Sequence, residues 1–121
     1  MWKTDTYNDF ICRVPDFNNF KEVSHERTYY NSSGEKVLII RRISTDNLPH
    51  LNLVVQNFTQ QISNTNGVEV GRVFEKTQSD INIFLVREVG FDIYYKVELY
   101  GNYSDMEIRL FIESFDFNNS F

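Results

Sequence analysis

A chain of 121 residues, 41% of them hydrophobic and 16% aromatic, carries enough apolar surface for a single domain with its own core, and this excludes general disorder. Twelve Lys and Arg against seventeen Asp and Glu give a formal charge of −5, which repels phosphate backbones and anionic membrane surfaces, so neither nucleic acid nor a membrane is expected as a partner. The same sign speeds encounter with a basic protein, and it is also what keeps many domains dispersed.

The chain opens Met1-Trp2-Lys3-Thr4-Asp5, without the apolar run of a signal peptide, and no stretch is apolar for long enough to span a bilayer. Phe10, Cys12 and Val14 alternate with Ile11 and Arg13 until Pro15, which predicts a short strand with the proline at its end or edge. Cys12 is the only cysteine, so an internal disulfide is excluded, and its apolar neighbours mark it as a small buried hydrophobe. A reducing, cytoplasmic setting is expected. Asp16 to Phe20 reads as a loop, and Val23 to Tyr30 as a strand leading to the turn Asn31-Ser32-Ser33-Gly34. The return strand, Lys36 to Ile43, completes an N-terminal hairpin, and its run Val37-Leu38-Ile39-Ile40 predicts a central position buried on both faces.

Asp46 or Asn47 can cap a helix with Pro49 in its first turn, and Leu48, Leu51, Val55, Phe58 and Ile62 follow at spacings of three and four. This predicts one main helix over about residues 47–63, stopped by Gly67 and packed on one face of a sheet. Strands are then expected near Val68 to Lys76, Ile81 to Arg87, Phe91 to Tyr100 and Asp105 to Ser114, with a bulge at Gly71. The fold class is α+β: a single domain, residues 1–121, with a curved antiparallel sheet, an N-terminal hairpin and one main helix.

Two turns set the expected registers of the last strands. Glu88-Val89-Gly90 suits a three-residue hairpin loop and Gly101-Asn102 a two-residue turn. Those registers place Lys96 opposite Glu107, Tyr94 opposite Arg109 and Phe84 beside Tyr94, on the face away from Tyr95 and Ile108. Phe84, Tyr94, Lys96, Glu107, Arg109 and Phe111 are therefore the candidate partner-binding residues. Either the N-terminal hairpin or the tail from Phe115 to Phe121 folds over this face as a second core layer, or it is an exposed aromatic patch suited to a protein partner.

Chemistry-bearing motifs are not found. His25 and His50 lie in different elements and neither has metal-ligand spacing to Cys12 or to a carboxylate. No glycine-rich phosphate loop or nucleophile elbow occurs, and Glu98 with Asp105 or Glu107 would sit on an open face without a desolvating pocket. No catalytic residue, metal or cofactor is expected.

The order of elements, from the early strand ending Val14-Pro15 through the turn at Asn31 to Gly34, the central Val37 to Ile43, a helix after Asn47 and a meander containing Tyr94-Tyr95, resembles that of PsbP-like domains. The resemblance implies a non-catalytic accessory or binding subunit and carries no functional residue over to this chain. A helix across a curled sheet of the cystatin-like kind fits the same order. The functional expectation is a small non-enzymatic protein-binding module, an inhibitor or immunity-type protein that neutralises a basic toxin or enzyme by direct binding. The alternatives are an accessory subunit of a larger complex and a small-ligand domain with a cavity between helix and sheet, walled by Tyr95, Phe58 or Tyr29.

Overall fold

In a computed structural model the described residues are 2–43, 58–73, 80–91 and 93–117, with the side chains of 58–63 and of Val73 outside the description. Alternating side chains in the first fifteen residues make a separate two-stranded hairpin of β1 (Trp2–Tyr7) and β2 (Phe10–Pro15). Tyr7 pairs with Phe10 across the two-residue turn Asn8-Asp9, where Asn8 takes a positive φ of 33°.

A second sheet contains β3 (Asn19–Val23), β4 (Glu26–Tyr30), β5 (Lys36–Ile43), β6 (Phe58–Ser63), β7 (Val68–Val73), β8 (Ile81–Glu88) and β9 (Tyr94–Tyr100). All neighbours are antiparallel in the order β3-β4-β5-β9-β8-β7-β6, so two meanders meet where β9 returns beside β5. Among the described residues one helix, α1 (Asp105–Glu113), follows β9. The architecture is α+β in one domain.

Cross-strand rows build the core. Tyr29, Leu38 and Leu99 align across β4, β5 and β9; Ile40, Val97 and Phe84 align across β5, β9 and β8; Tyr95, Val86 and Val70 align across β9, β8 and β7. All nine are buried, each row placing its side chains on the same face of the pleat.

A second layer covers that face. The hairpin contributes Tyr7, Phe10, Cys12 and Val14, and α1 contributes Ile108, Phe111 and Ile112, the i, i+3, i+4 stripe of an amphipathic helix. The chain after α1 then pairs with β2, the Ile11 and Asp116 backbones exchanging hydrogen bonds of 2.9 and 3.1 Å, which seats Phe115 in the core. Cys12 is fully buried, and burial raises its thiol pKa far above the ordinary value, as expected of a small hydrophobe.

Several expected elements differ. Phe58 to Ser63, assigned to the end of the long helix, forms β6 and pairs with β7; residues 47–57 of that expected helix lie outside the described residues. The expected strand Asp105 to Ser114 is instead helical over Asp105–Glu113 with Ser114 as its C-cap, because Ser104 and Glu107 close a capping box: Ser104 Oγ accepts from the Glu107 N–H at 3.2 Å and Glu107 Oε1 accepts from the Ser104 N–H at 3.0 Å. Gly101 and Asn102 therefore lead into α1 instead of reversing a hairpin. Gly71 stands in regular register with Leu85, and the irregularity of that region falls in β6, between Phe58 and Gln60.

Candidate partner-binding site

The register of β8 on β9 decides which side chains reach the surface. Ile81 pairs with Tyr100 and Phe84 with Val97, a slip of three residues from the register that a three-residue loop would impose. An odd slip exchanges the faces of one strand relative to the other, so Phe84 joins the core row of Val97 instead of sitting beside Tyr94.

The six expected site residues are accordingly dispersed. Phe84 and Phe111 do meet, with ring centroids 5.5 Å apart, but both are fully buried in the core. Tyr94 lies on the opposite face, with the Arg87 guanidinium 5.5 Å from its ring centre. Lys96 shares that face and pairs with Glu98 at 3.7 Å. Glu107 belongs to the helix cap, whose N–H and hydroxyl of Ser104 hold its carboxyl below the usual range, and Arg109 is exposed on α1. The open aromatic face anticipated around Tyr94 and Arg109 does not form, because the hairpin, α1 and the tail cover Phe84 and Phe111. The expected cover is not met as posed either: the layer of β1, β2, α1, Phe115 and the half-buried Phe117 lies over the face that carries Tyr95, not the one that carries Tyr94, and β1–β2 is not the expected hairpin of Val23 to Ile43.

A different surface gathers apolar and acidic groups. The end of β8 turns through Glu88-Val89-Gly90-Phe91, closed by the Phe91 N–H donating to the Glu88 carbonyl at 3.1 Å, with Gly90 at a φ of 93° that suits glycine. The Val89 N–H donates to the Gly67 carbonyl at 3.0 Å and ties the turn to the β6–β7 connection. Held this way, Val89, Phe91 and Ile93 are 51%, 55% and 37% exposed. These three exposed apolar groups fall close together in sequence, and two of them, Phe91 and Ile93, line one cleft.

Beside the loop lies a half-open cleft of about 570 Å³ lined by Thr6, Asn8, Asp9, Glu88, Phe91, Ile93, Tyr95 and Phe117. The buried Tyr95 ring supplies part of its wall, and the Tyr95 hydroxyl donates to Asp9 Oδ2 at 2.7 Å, fixing the carboxylate of the β1–β2 turn. Burial, and the Asp9 carboxylate it donates to, push the Tyr95 phenol well above its usual range. Glu88 has no ion-pair partner among the described residues. The cleft thus holds two carboxylates, one fixed by a neutral donor, between apolar walls.

Asp9, Glu88, Phe91, Ile93 and Phe117 were not among the sequence candidates, and Tyr95 was one only as a wall of the small-ligand alternative. The available signal was Gly90 flanked by Val89 and Phe91, which belongs to a turn with an apolar tip once the loop is lengthened beyond three residues. Among the described residues, no group of three or more His, Cys, Asp or Glu is placed to hold a metal, and no helix is long and apolar enough to cross a membrane. Comparison of the chain with protein-family models, with curated proteins and with solved structures finds no match.

Proposed function

We propose that this chain is a small non-enzymatic protein-binding module, of the inhibitor or immunity type, which neutralises a basic toxin or enzyme by direct binding. The observation that carries the reading is the exposed apolar loop of Val89, Phe91 and Ile93 set against a cleft containing Asp9 and Glu88. An aromatic anchor at the centre of a contact with charged groups around it is the composition of a binding hot spot. The formal charge of −5 adds long-range attraction toward a basic surface.

Burial drives the Cys12 thiol and the Tyr95 phenol toward their neutral forms, away from what nucleophilic or base catalysis near neutral pH requires. Phe84, Phe111 and Phe115 fill the space between α1 and the sheet, with centroid separations of 5.5 and 5.1 Å for Phe111 to its two neighbours, and the cleft lies beside that packing.

The test is affinity capture from the native cell with the tagged chain and with a Phe91→Asp, Ile93→Asp double variant, whose substituted side chains are exposed and whose folding circular dichroism verifies. The expected result is one basic protein at stoichiometric yield, its toxic or enzymatic activity suppressed by the parent chain, with capture reduced by roughly thirtyfold or more in the variant, as loss of a central anchor implies. Absence of a stoichiometric protein, or equal capture by the variant, contradicts the reading.

A further inference from the structure

We propose that the cleft receives a lysine or arginine side chain of the protein partner, its charged head between Asp9 and Glu88 and its aliphatic stem against Phe91, Ile93 and Tyr95. This rests on the protein-binding reading above and specifies what enters the site.

The two carboxylates are the starting point. Asp9 takes its hydrogen bond from the uncharged Tyr95 hydroxyl, and Glu88 forms no salt bridge among the described residues, so neither charge is neutralised by a described cation. Arg42, whose field reaches Tyr7 and Tyr95, pairs with neither acid. Several acids on the molecule do find cations: Asp5 and Glu22 on Arg27, Glu26 on Arg41, Glu69 on Arg87, Glu98 on Lys96. In the cleft, Asp9 and Glu88 line one space without a salt bridge to a described cation.

The walls choose among cations. A metal ion needs several oxygen ligands at short range, and among the described residues no group of three or more His, Cys, Asp or Glu is placed to hold one, while Phe91, Ile93 and Phe117 add carbon to the oxygen-bearing Thr6, Asn8, Asp9 and Glu88. Lys and Arg combine a carbon stem that lies along apolar surface with a charged head, and Arg also stacks on aromatic rings. The volume of about 570 Å³ lies within the ~300–1,000 Å³ typical of clefts that take a ligand of several groups, so it admits a basic residue with its apolar neighbours. Val89 and the exposed part of Phe91 continue the apolar surface outside the cleft, where a free small amine would leave them uncovered and a polypeptide would not.

The experiment titrates the ¹⁵N-labelled chain with the peptides acetyl-Leu-Arg-Leu-amide and acetyl-Leu-Gln-Leu-amide and with agmatine, following amide shifts, and repeats the first titration on an Asp9→Asn, Glu88→Gln variant. Asn retains an oxygen to accept from Tyr95, so the fold is conserved. The arginine peptide is expected to shift Asn8, Asp9 and Glu88 to Phe91, to bind at least fivefold more tightly than the glutamine peptide or agmatine, and to lose that margin in the variant and at high salt. Equal binding of the two peptides, or retention by the variant, overturns the proposal, and tighter binding of agmatine replaces it with a free-amine site. The captured partner separates this from the broader reading. If Asp9→Asn, Glu88→Gln keeps the partner and Phe91→Asp, Ile93→Asp loses it, the basic side chain is wrong and protein binding stands; if both variants keep it, both readings fail.

Discussion

Replacing Phe111 by alanine distinguishes a core position from a surface one. The ring is fully buried and touches three others, with centroids 5.9 Å from Trp2, 5.5 Å from Phe84 and 5.1 Å from Phe115, so it bridges α1, the hairpin, the sheet and the tail. Core Phe→Ala changes cost about 3–5 kcal/mol through lost burial and the cavity left behind. Contacts on three sides restrict collapse into the gap, which places this site near ~4 kcal/mol, a large part of the ~5–15 kcal/mol that holds a domain together. Urea unfolding followed by far-ultraviolet circular dichroism reads the loss as a fall in midpoint of about 2 M for a slope near ~2 kcal/mol per M. Leu110→Ala, one residue away on the same helix but exposed, should stay within about 0.5 kcal/mol of the parent. A Phe111→Ala cost under ~1 kcal/mol, or an equal cost for Leu110→Ala, would refute the packing described.

Three further outcomes follow from the same packing. Arg27 is 8% exposed, with its guanidinium 4.2 Å from the centre of the Phe20 ring and paired with Asp5 and Glu22, so Arg27→Met strands two acids and should cost about 3–5 kcal/mol in urea unfolding. Buried Asn64 donates to the carbonyls of Ile112 and Phe115 at 2.9 and 3.0 Å and accepts from the N–H groups of Asn66 and Val68, so Asn64→Ala should cost roughly 2–3 kcal/mol and raise hydrogen exchange at Val68. Burial, with help from Glu98, pushes the Tyr100 phenol up to about 12, and burial also raises Tyr7, Tyr29, Tyr95 and Tyr103. These folded-state values exceed those of the unfolded chain, so their contribution to stability is complete below about pH 10 and is lost as pH rises through the folded values. The share of the 295 nm absorbance that belongs to these five of the seven tyrosines should therefore rise late and together with unfolding; a complete rise over a folded circular dichroism spectrum would contradict it.

Much of the sheet was legible from alternation alone. Phe10, Cys12 and Val14 mark β2, Val37 to Ile40 mark the central β5, and Tyr95, Val97 and Leu99 mark the inner row of β9. The first strand, Lys3-Thr4-Asp5-Thr6 between Trp2 and Tyr7, has no apolar row to reveal it and is held by pairing with β2. In α1 the apolar residues fit a period of two through Met106, Ile108, Leu110 and Ile112, and a helical stripe through Ile108, Phe111 and Ile112. The Ser104 and Glu107 spacing favoured the helix.

The candidate site was harder to read because β8 is apolar on both faces. Ile83, Phe84, Leu85 and Val86 are all buried, so hydrophobic pattern alone cannot fix its register on β9, and the assumed tight loop moved the partner-binding residues to the wrong face. Asp9 and Tyr95 meet across 86 positions of sequence, a juxtaposition that no local pattern contains.

The measurement closest to the central claim is a hydrogen-exchange footprint of the chain within the complex isolated from its native cell. Protection is expected at Asn8, Asp9 and Glu88 to Phe91, with β3 and the exposed side of α1 unchanged. A footprint confined to those other surfaces, or the lack of any stable protein complex, would contradict the account.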